Sequence, residues 1–291
     1  MKACFPHQTG IFSGFLYLLI YLISRLPMPV LYGFSSLAYH LAYHLLSYRK
    51  MVVIQNISRA FPEKKYGEIK IIVSNFYRSF CDNMVEILKA ISATSIQQKD
   101  KIKHINFEPI TNHIKAGKHV IASMGHCGNW ELLNIIPFII KLESYAVYKP
   151  LSAKYMDRLL LKIRSRFGMN LITDKVVIKH LLTNPNPSIY FFLADQSPTI
   201  KDESSKFMFL HQPTYLFKGV EKLARKTNAC VFYLHVIKIA RGRYQVECKE
   251  ISTNSSHTAD KEISQNYIRL LEQNIRENPS GWLWSHKRWK G

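Results

Sequence analysis

The sequence predicts an α/β layered body behind membrane-associated N-terminal helices. Three observations carry that expectation: a charge-free apolar opening, a change of hydrophobic period near residue 118, and short apolar runs alternating with amphipathic stretches after it. The chain has 291 residues, 47% of them hydrophobic, enough for one sizeable core. Its 21% charged residues and its spread of aliphatic and aromatic types exclude a disordered, collagen-like or low-complexity chain. No internal repeat and no Gly/Ser linker interrupts it. Residues 1–48 therefore read as membrane anchor or interfacial helices and 49–291 as one globular body.

The elements follow in order. Between Lys2 and Arg25 no residue is charged, and Ile11 to Ser24 is strongly apolar; Leu26 to Tyr48 is again uncharged, broken by Pro27, Pro29 and Gly33. A cleaved signal peptide would need a basic start and a small-residue cleavage site, and neither is evident. A pair of buried core helices is the competing reading, and an anchor that spans once or lies in the interface is the favoured one. The apolar run is short for a spanning helix unless Phe5 to Gly10 contributes. Tyr17, Tyr21, Tyr32, Tyr39, Tyr43 and Tyr48 suit the headgroup level, with Arg49 and Lys50 beyond them on the cytoplasmic side.

A helix stops at Asn56 to Pro62, and Lys65 to Ala90 carries a helical stripe of Ile69, Ile72, Val73, Phe76, Phe80, Met84, Ile87 and Leu88. Lys118 to Met124 then reads as a buried strand, with a helix from near Asn129 to Leu142 and a strand at Ser144 to Tyr148. Lys154 to Phe167 is a basic amphipathic helix closed by Gly168, and Lys175 to Leu182 is helical. Ser188 to Ala194 is the clearest buried strand. A helix at Leu216 to Lys226 precedes strands at Ala229 to Ile239 and Arg243 to Ile251, joined at Arg241-Gly242. Ile263 to Glu277 is the last helix, before an aromatic, basic tail that is either an interfacial anchor or a piece packed on the core.

Charge and cysteine content bound the partners. Forty Lys and Arg against 20 Asp and Glu leave +20, which attracts nucleic acid, an anionic membrane or an acidic protein. No zinc, helix-turn-helix or RNP motif supports the first, so no nucleic acid is expected. Cys4, Cys81, Cys127, Cys230 and Cys248 form an odd set without a CxxC pair, which argues for a reducing compartment and against a zinc site. The 12 His residues show no HExxH spacing, and no metal is expected.

The chemistry concentrates in Gly125-His126-Cys127-Gly128-Asn129-Trp130-Glu131, directly after a strand and opening a helix. Such a turn stands at the carboxyl edge of a sheet, where α/β folds place ligands. Within one continuous helix, positions five apart lie about 140° apart around the axis. With His126 in the turn and Glu131 in the first helical turn, the carboxylate can instead fold back onto the imidazole and fix its tautomer. A hydrogen-bonded core histidine and a first-turn acid satisfying helix N–H groups are the plain alternatives. Cys127 is a poor nucleophile candidate, because neighbouring side chains in a turn diverge. Asp195-Gln196 ends the second buried strand at the same edge, making Asp195 either a second partner for His126 or a loop acid. Arg158, Arg164 and Arg166 give the basic helix a cationic face near Tyr148-Lys149-Pro150; on charge pattern alone that is a solvated face.

Taken together these blocks resemble the bacterial lipid A biosynthesis acyltransferases. Asn56-Ile57 with Ala60-Phe61-Pro62, Gly125-His126 through Trp130-Glu131, and Tyr148-Lys149-Pro150 leading to Arg158, Arg164 and Gly168 are similar to that family's motifs. Asp195-Gln196 and the closing block Pro279, Trp282-Leu283-Trp284, His286 and Arg288-Trp289-Lys290 complete the match. The histidine-to-acid spacing alone is shared with glycerolipid acyltransferases; the tail is specific.

The resemblance implies a glycerolipid-acyltransferase-like mixed sheet flanked by helices, with 49–291 as the acyltransferase domain. It implies transfer of a fatty acyl chain from an acyl carrier protein thioester, or CoA, to a lipid hydroxyl at the cytoplasmic face of the inner membrane. His126 would act as general base, with Glu131 or Asp195 orienting it and Arg164 stabilising the oxyanion or holding an acceptor phosphate. Gly128, Asn129, Tyr148, Lys149, Arg158 and Gln196 would bind substrate, with no metal, no cofactor and no acyl-enzyme. The chain departs from the family at Lys149, where arginine is usual, at Ala153-Lys154, where Asn-Pro is usual, and at Phe209-Leu210-His211, where Phe-Phe-Gly is usual. Lysine lacks arginine's planar fork, which leaves an aminolipid or glycolipid acceptor open. A non-catalytic lipid-binding relative is the alternative in another class.

Overall fold

A computed structural model describes residues 11–198 and 202–289, apart from the side chains of residues 11–13 and 104. The expectations for Cys4, for Phe5 to Gly10 and for Lys290 fall outside those residues. The chain opens with helices α1 (Ile11–Arg25), α2 (Met28–His40, extended by a π-turn over Leu41–Leu45), α3 (Lys50–Ala60), α4 (Tyr66–Ala90) and α5 (Ser95–Lys99). Strand β1 (Ile102–Asn106), α6 (Glu108–Lys115) and β2 (Val120–Met124) lead to a 3-10 segment at Trp130–Ile135, then α7 (Ile136–Ile140) and β3 (Ser144–Tyr148). Next come α8 (Lys154–Ser165), β4 (Asn170–Thr173), α9 (Val177–Thr183), β5 (Ile189–Leu193), β6 (Lys206–Phe209) and β7 (Gln212–Tyr215). Helix α10 (Gly219–Thr227), β8 (Cys230–Ala240), β9 (Arg243–Ser252) and α11 (Glu262–Glu277) complete the order.

Among the described residues, seven strands form one mixed sheet in the order β1-β9-β8-β2-β5-β3-β4. The run from β8 to β4 is parallel, and β9 with β1 runs the opposite way. Strands β2 and β8 are buried because both faces of the sheet are covered, which is why they read as unbroken apolar runs. The pleat sorts their residues between two cores. Ile121, Tyr190, Phe192, Val231 and Tyr233 pack with α4, α10 and α11 on one side. Val120, Ala122, Met124, Ile189, Phe191, Phe232 and Leu234 pack with α6, Leu132, Leu133 and Ile136 on the other. The predicted fold is thus observed, with β1, β4 and the β6–β7 hairpin added. That hairpin turns through Leu210 (φ 49°) and His211 (φ 63°), a left-handed pair at the position where a glycine would be unstrained.

Helices α1 and α2 pack on α4, and α1 also meets α8 through Ile20, Tyr21, Leu159, Leu160 and Ile163. Among the described residues no single helix is long and apolar enough to cross a membrane. Gly14–Arg25 and Met28–Leu45 reach that length only as a pair, bent by 112°. Both expose apolar side chains to the outside, among them Phe15, Leu18, Leu22, Phe34, Leu37 and Leu45. The expected headgroup-level tyrosines are corrected in part. Tyr39 is buried with its hydroxyl 2.8 Å from Ser74 Oγ, and Tyr32 donates to Glu86 Oε1 at 3.0 Å. The polar ends of these two rings are satisfied inside the protein.

The tail packs on the core rather than serving as a free aromatic anchor. Trp282 and Trp284 are buried, and Phe61 meets Trp284 at 5.9 Å between ring centres. Asn56 donates to the carbonyls of Trp284 and His286 at 2.8 and 3.0 Å. Arg288, buried, donates to Thr214 Oγ1 at 2.6 Å and to the Tyr215 carbonyl at 2.8 Å. The first and last sequence blocks therefore hold each other behind the sheet.

Candidate active site

Strands β2 and β5 are parallel neighbours with Met124 opposite Leu193. His126 and Asp195 each lie two residues beyond that pair, so the register alone brings both to the same carboxyl edge. His126 Nδ1 lies 2.6 Å from Asp195 Oδ1, and the His126 backbone N–H donates to Oδ2 at 2.9 Å. The Trp282 indole donates to the same Oδ2 at 2.7 Å. A carboxylate can only accept, so Nδ1 carries the proton and Nε2 keeps its lone pair.

Asp195 is 2% exposed. Burial by itself would push its carboxyl up; the positive charge that His126 carries once protonated in acid, with the hydrogen bonds from His126 and Trp282, outweighs that and holds it at about 2. The acid is therefore an anion at any ordinary pH. Cys127 is the reverse case: complete burial, then the nearby Asp195 charge, push its thiol well above the usual range. It is no thiolate nucleophile.

The turn exists because two glycines permit it. A Cβ on Gly125 would come within 2.4 Å of Leu271 Cδ1, and Gly128 sits at φ +57°. Gly128 donates to the Gly281 carbonyl at 2.9 Å, and its own carbonyl accepts from Asn83 Nδ2 at 2.8 Å. Asn129 Nδ2 donates to Glu86 Oε2 at 3.0 Å. Glu86, wholly buried, also accepts from Tyr32 and Tyr244. Gly128 and Asn129, expected to bind substrate, lie outside the cavity lining; their hydrogen bonds run to α4 and the tail and anchor the turn that presents His126. Asn83, Glu86 and Tyr244 escaped the sequence reading, and Trp282 was read there as part of the tail block with no link to Asp195. The sequence signal for Glu86 is slight: an acid one helical turn beyond Asp82 and next to Ile87 and Leu88 of the α4 apolar stripe.

His126 opens onto a cavity of about 580 Å³. Its apolar walls include Met124, Ala146, Leu160, Met169, Phe191 and Leu193; Glu131, Tyr148, Lys149, Arg164 and Gln196 supply polar groups. Trp130 meets the imidazole edge-on at 4.8 Å, and Gln196 Nε2 stands 3.3 Å from His126 Nε2. Glu131 requires a second correction. The Trp130–Ile135 segment is 3-10 rather than α-helical, and Glu131 binds Arg164 through two hydrogen bonds of 2.9 and 2.5 Å. Burial would lower the Arg164 pKa, and the Glu131 carboxylate outweighs it, so the guanidinium is firmly charged. Asp195, not Glu131, is the partner of the imidazole. Arg158 lies on α8 but is exposed and outside the cavity lining.

A buried carboxylate fixing an imidazole whose free nitrogen faces an apolar cavity can chemically accept a proton from a group bound there. Among the described residues, no three His, Cys, Asp or Glu side chains gather as metal ligands would. No curated protein matches the chain. The model of the bacterial lipid A biosynthesis acyltransferase family matches residues 5–291, nearly its whole length, and the protein therefore belongs to that family of acyltransferases.

Proposed function

We propose that the protein moves a fatty acyl chain from the thioester of an acyl carrier protein to a hydroxyl of a lipid A precursor, with His126 as general base. The observation that carries this reading is the His126–Asp195 pair at the mouth of the apolar cavity. Nε2 takes the proton of the acceptor hydroxyl while its oxygen bonds to the thioester carbonyl carbon. The imidazolium that forms is stabilised by Asp195, a positioning residue that touches no substrate atom. When the tetrahedral intermediate collapses, the C–S bond breaks and the proton passes from His126 to the leaving thiolate. Gln196 and the remaining donors of Arg164 line the space where the carbonyl oxygen gains charge. No acyl-enzyme and no cofactor enters this sequence.

The charge of +20 suits both an acidic carrier protein and a phosphorylated lipid. The exposed apolar residues of α1 and α2 support a seat on the cytoplasmic face of the inner membrane. Lys149 at the cavity rim favours keeping a second acceptor in view, another membrane lipid whose headgroup does not need a planar cation.

Mass spectrometry of intact lipids from cells with and without the protein tests the reading. One added acyl chain on a lipid A precursor is expected, and it should vanish with His126→Ala. Unchanged lipids, or an unchanged gain with His126→Ala, contradict it. A gain on an aminolipid or glycolipid keeps the acyl transfer and moves the acceptor.

A further inference from the structure

A second cavity, of about 530 Å³, lies between α2, α4 and the β8–β9 turn and shares no lining residue with the His126 cavity. Arg78, Lys238 and Arg241 face into it with Ser36 and His40. The carboxylate among them, Asp82, is 5% exposed and already committed. It accepts from Ser35 Oγ at 2.7 Å, from Lys238 Nζ at 3.1 Å and from Arg241 Nη2 at 2.6 Å. Three cations face one carboxylate, so the cavity keeps a positive balance. Arg78 is its least engaged member. Its guanidinium lies 4.7 Å over the Tyr39 ring, which is itself fixed by Ser74, and no described residue accepts a hydrogen bond from it. Stacking occupies the face of the guanidinium and leaves its N–H edge for a ligand.

The same helix explains which anion would come. While Ser36 and His40 face the cavity, α2 exposes Val30 (45%), Phe34 (52%) and Leu37 (57%) elsewhere on its surface. A helix with one bare apolar side and one polar side lies in the plane of a membrane interface, with lipid phosphates level with its polar border. We propose that this cavity holds the phosphodiester headgroup of an anionic membrane lipid, gripped by the Arg78 fork with Lys238 and Arg241. The site would seat α2 on the bilayer, and through the Tyr32–Glu86–Asn129 chain α2 reaches the turn that carries His126. The inference rests on the membrane-surface part of the proposed function and not on the acyl-transfer step.

The test is co-sedimentation of the full-length protein with phosphatidylcholine vesicles, with or without a minor fraction of phosphatidylglycerol, at physiological ionic strength. The wild type should bind the phosphatidylglycerol vesicles about tenfold more tightly or better. Arg78→Glu should lose that gain, and Arg78→Lys, which keeps the charge but not the fork, should lose roughly fivefold. Arg269→Glu, the same charge change on the exposed side of α11, should shift binding by less than about twofold. Binding to pure phosphatidylcholine should be equal in all four proteins. Equal binding by Arg78→Lys and wild type, or an equal fall in Arg269→Glu and Arg78→Glu, shows diffuse attraction and overturns the site. Wild-type binding without any gain from phosphatidylglycerol overturns the site but leaves the membrane seat standing, whereas no vesicle binding overturns both. Inorganic phosphate added without vesicles is the last arm: a saturable thermal shift lost in Arg78→Lys, with no vesicle preference, assigns the cavity to free phosphate and overturns the headgroup.

Discussion

Two hydrogen-bonded carboxylate pairs stand along one cavity, and they are built differently. His126 and Asp195 come from turns after neighbouring parallel strands, and Asp195 is bound three times, by two groups of His126 and by Trp282 from the tail. Arg164 and Glu131 come from α8 and the 3-10 segment, and the Arg164 side chain remains 24% exposed. The first pair is over-determined and buried; the second is held by one side chain on each side, with Arg164 reaching solvent. Over-determination suits a base whose orientation must not vary, and solvent access suits a group that meets a substrate.

Replacing Asp195 with Asn should break the first pair while keeping its shape. The amide would present N–H to Nδ1, forcing the proton onto Nε2 and removing the lone pair from the cavity. A fall in kcat on the order of 10³–10⁴-fold, with KM little changed, is expected from steady-state kinetics. The same variant has a pH signature. The Asp195 pKa is depressed to about 2, so its stabilising effect is complete above the ordinary carboxylate range near pH 4 and is lost as pH falls towards 2. Acid denaturation should show wild type more stable by about 2 kcal/mol at neutral pH, the gap narrowing between those limits. A constant gap would mean that the carboxylate is not the source.

The second pair should respond more gently. Arg164→Lys and Glu131→Gln should each lower kcat/KM by roughly 10–100-fold, expressed mainly in KM if the pair holds substrate and mainly in kcat if Arg164 meets the oxyanion. A loss as deep as that of Asp195→Asn would erase the contrast between the two pairs. Smallest of all, Cys127→Ala should keep acyl transfer within about threefold, since its buried thiol stays protonated. Inactivation by that change would restore the thiol as a nucleophile.

How far the sequence reveals these features depends on how local they are. The α4 stripe, the β2 and β5 runs and the His126 turn are written in adjacent residues and were legible. The β1 strand, Ile-Lys-His-Ile-Asn, and the short β4 lie at the sheet's edges, where burial leaves no continuous apolar run. The choice between Glu131 and Asp195 was not legible, because it depends on β2 lying beside β5 in register. The spacing from His126 favoured the nearer acid; the sheet delivers the farther one. Tyr32 and Tyr39 misled for the same reason, since their amphipathic rings fit a membrane interface and a buried Glu86 or Ser74 equally well.

The central claim is tested most directly by measuring acyl transfer with purified His126→Ala, using acyl carrier protein and CoA thioesters in parallel, beside its circular dichroism and thermal midpoint. The account predicts a folded protein whose kcat has fallen by at least about 10³-fold with either donor. A folded His126→Ala protein that transfers acyl chains within tenfold of wild type would contradict it.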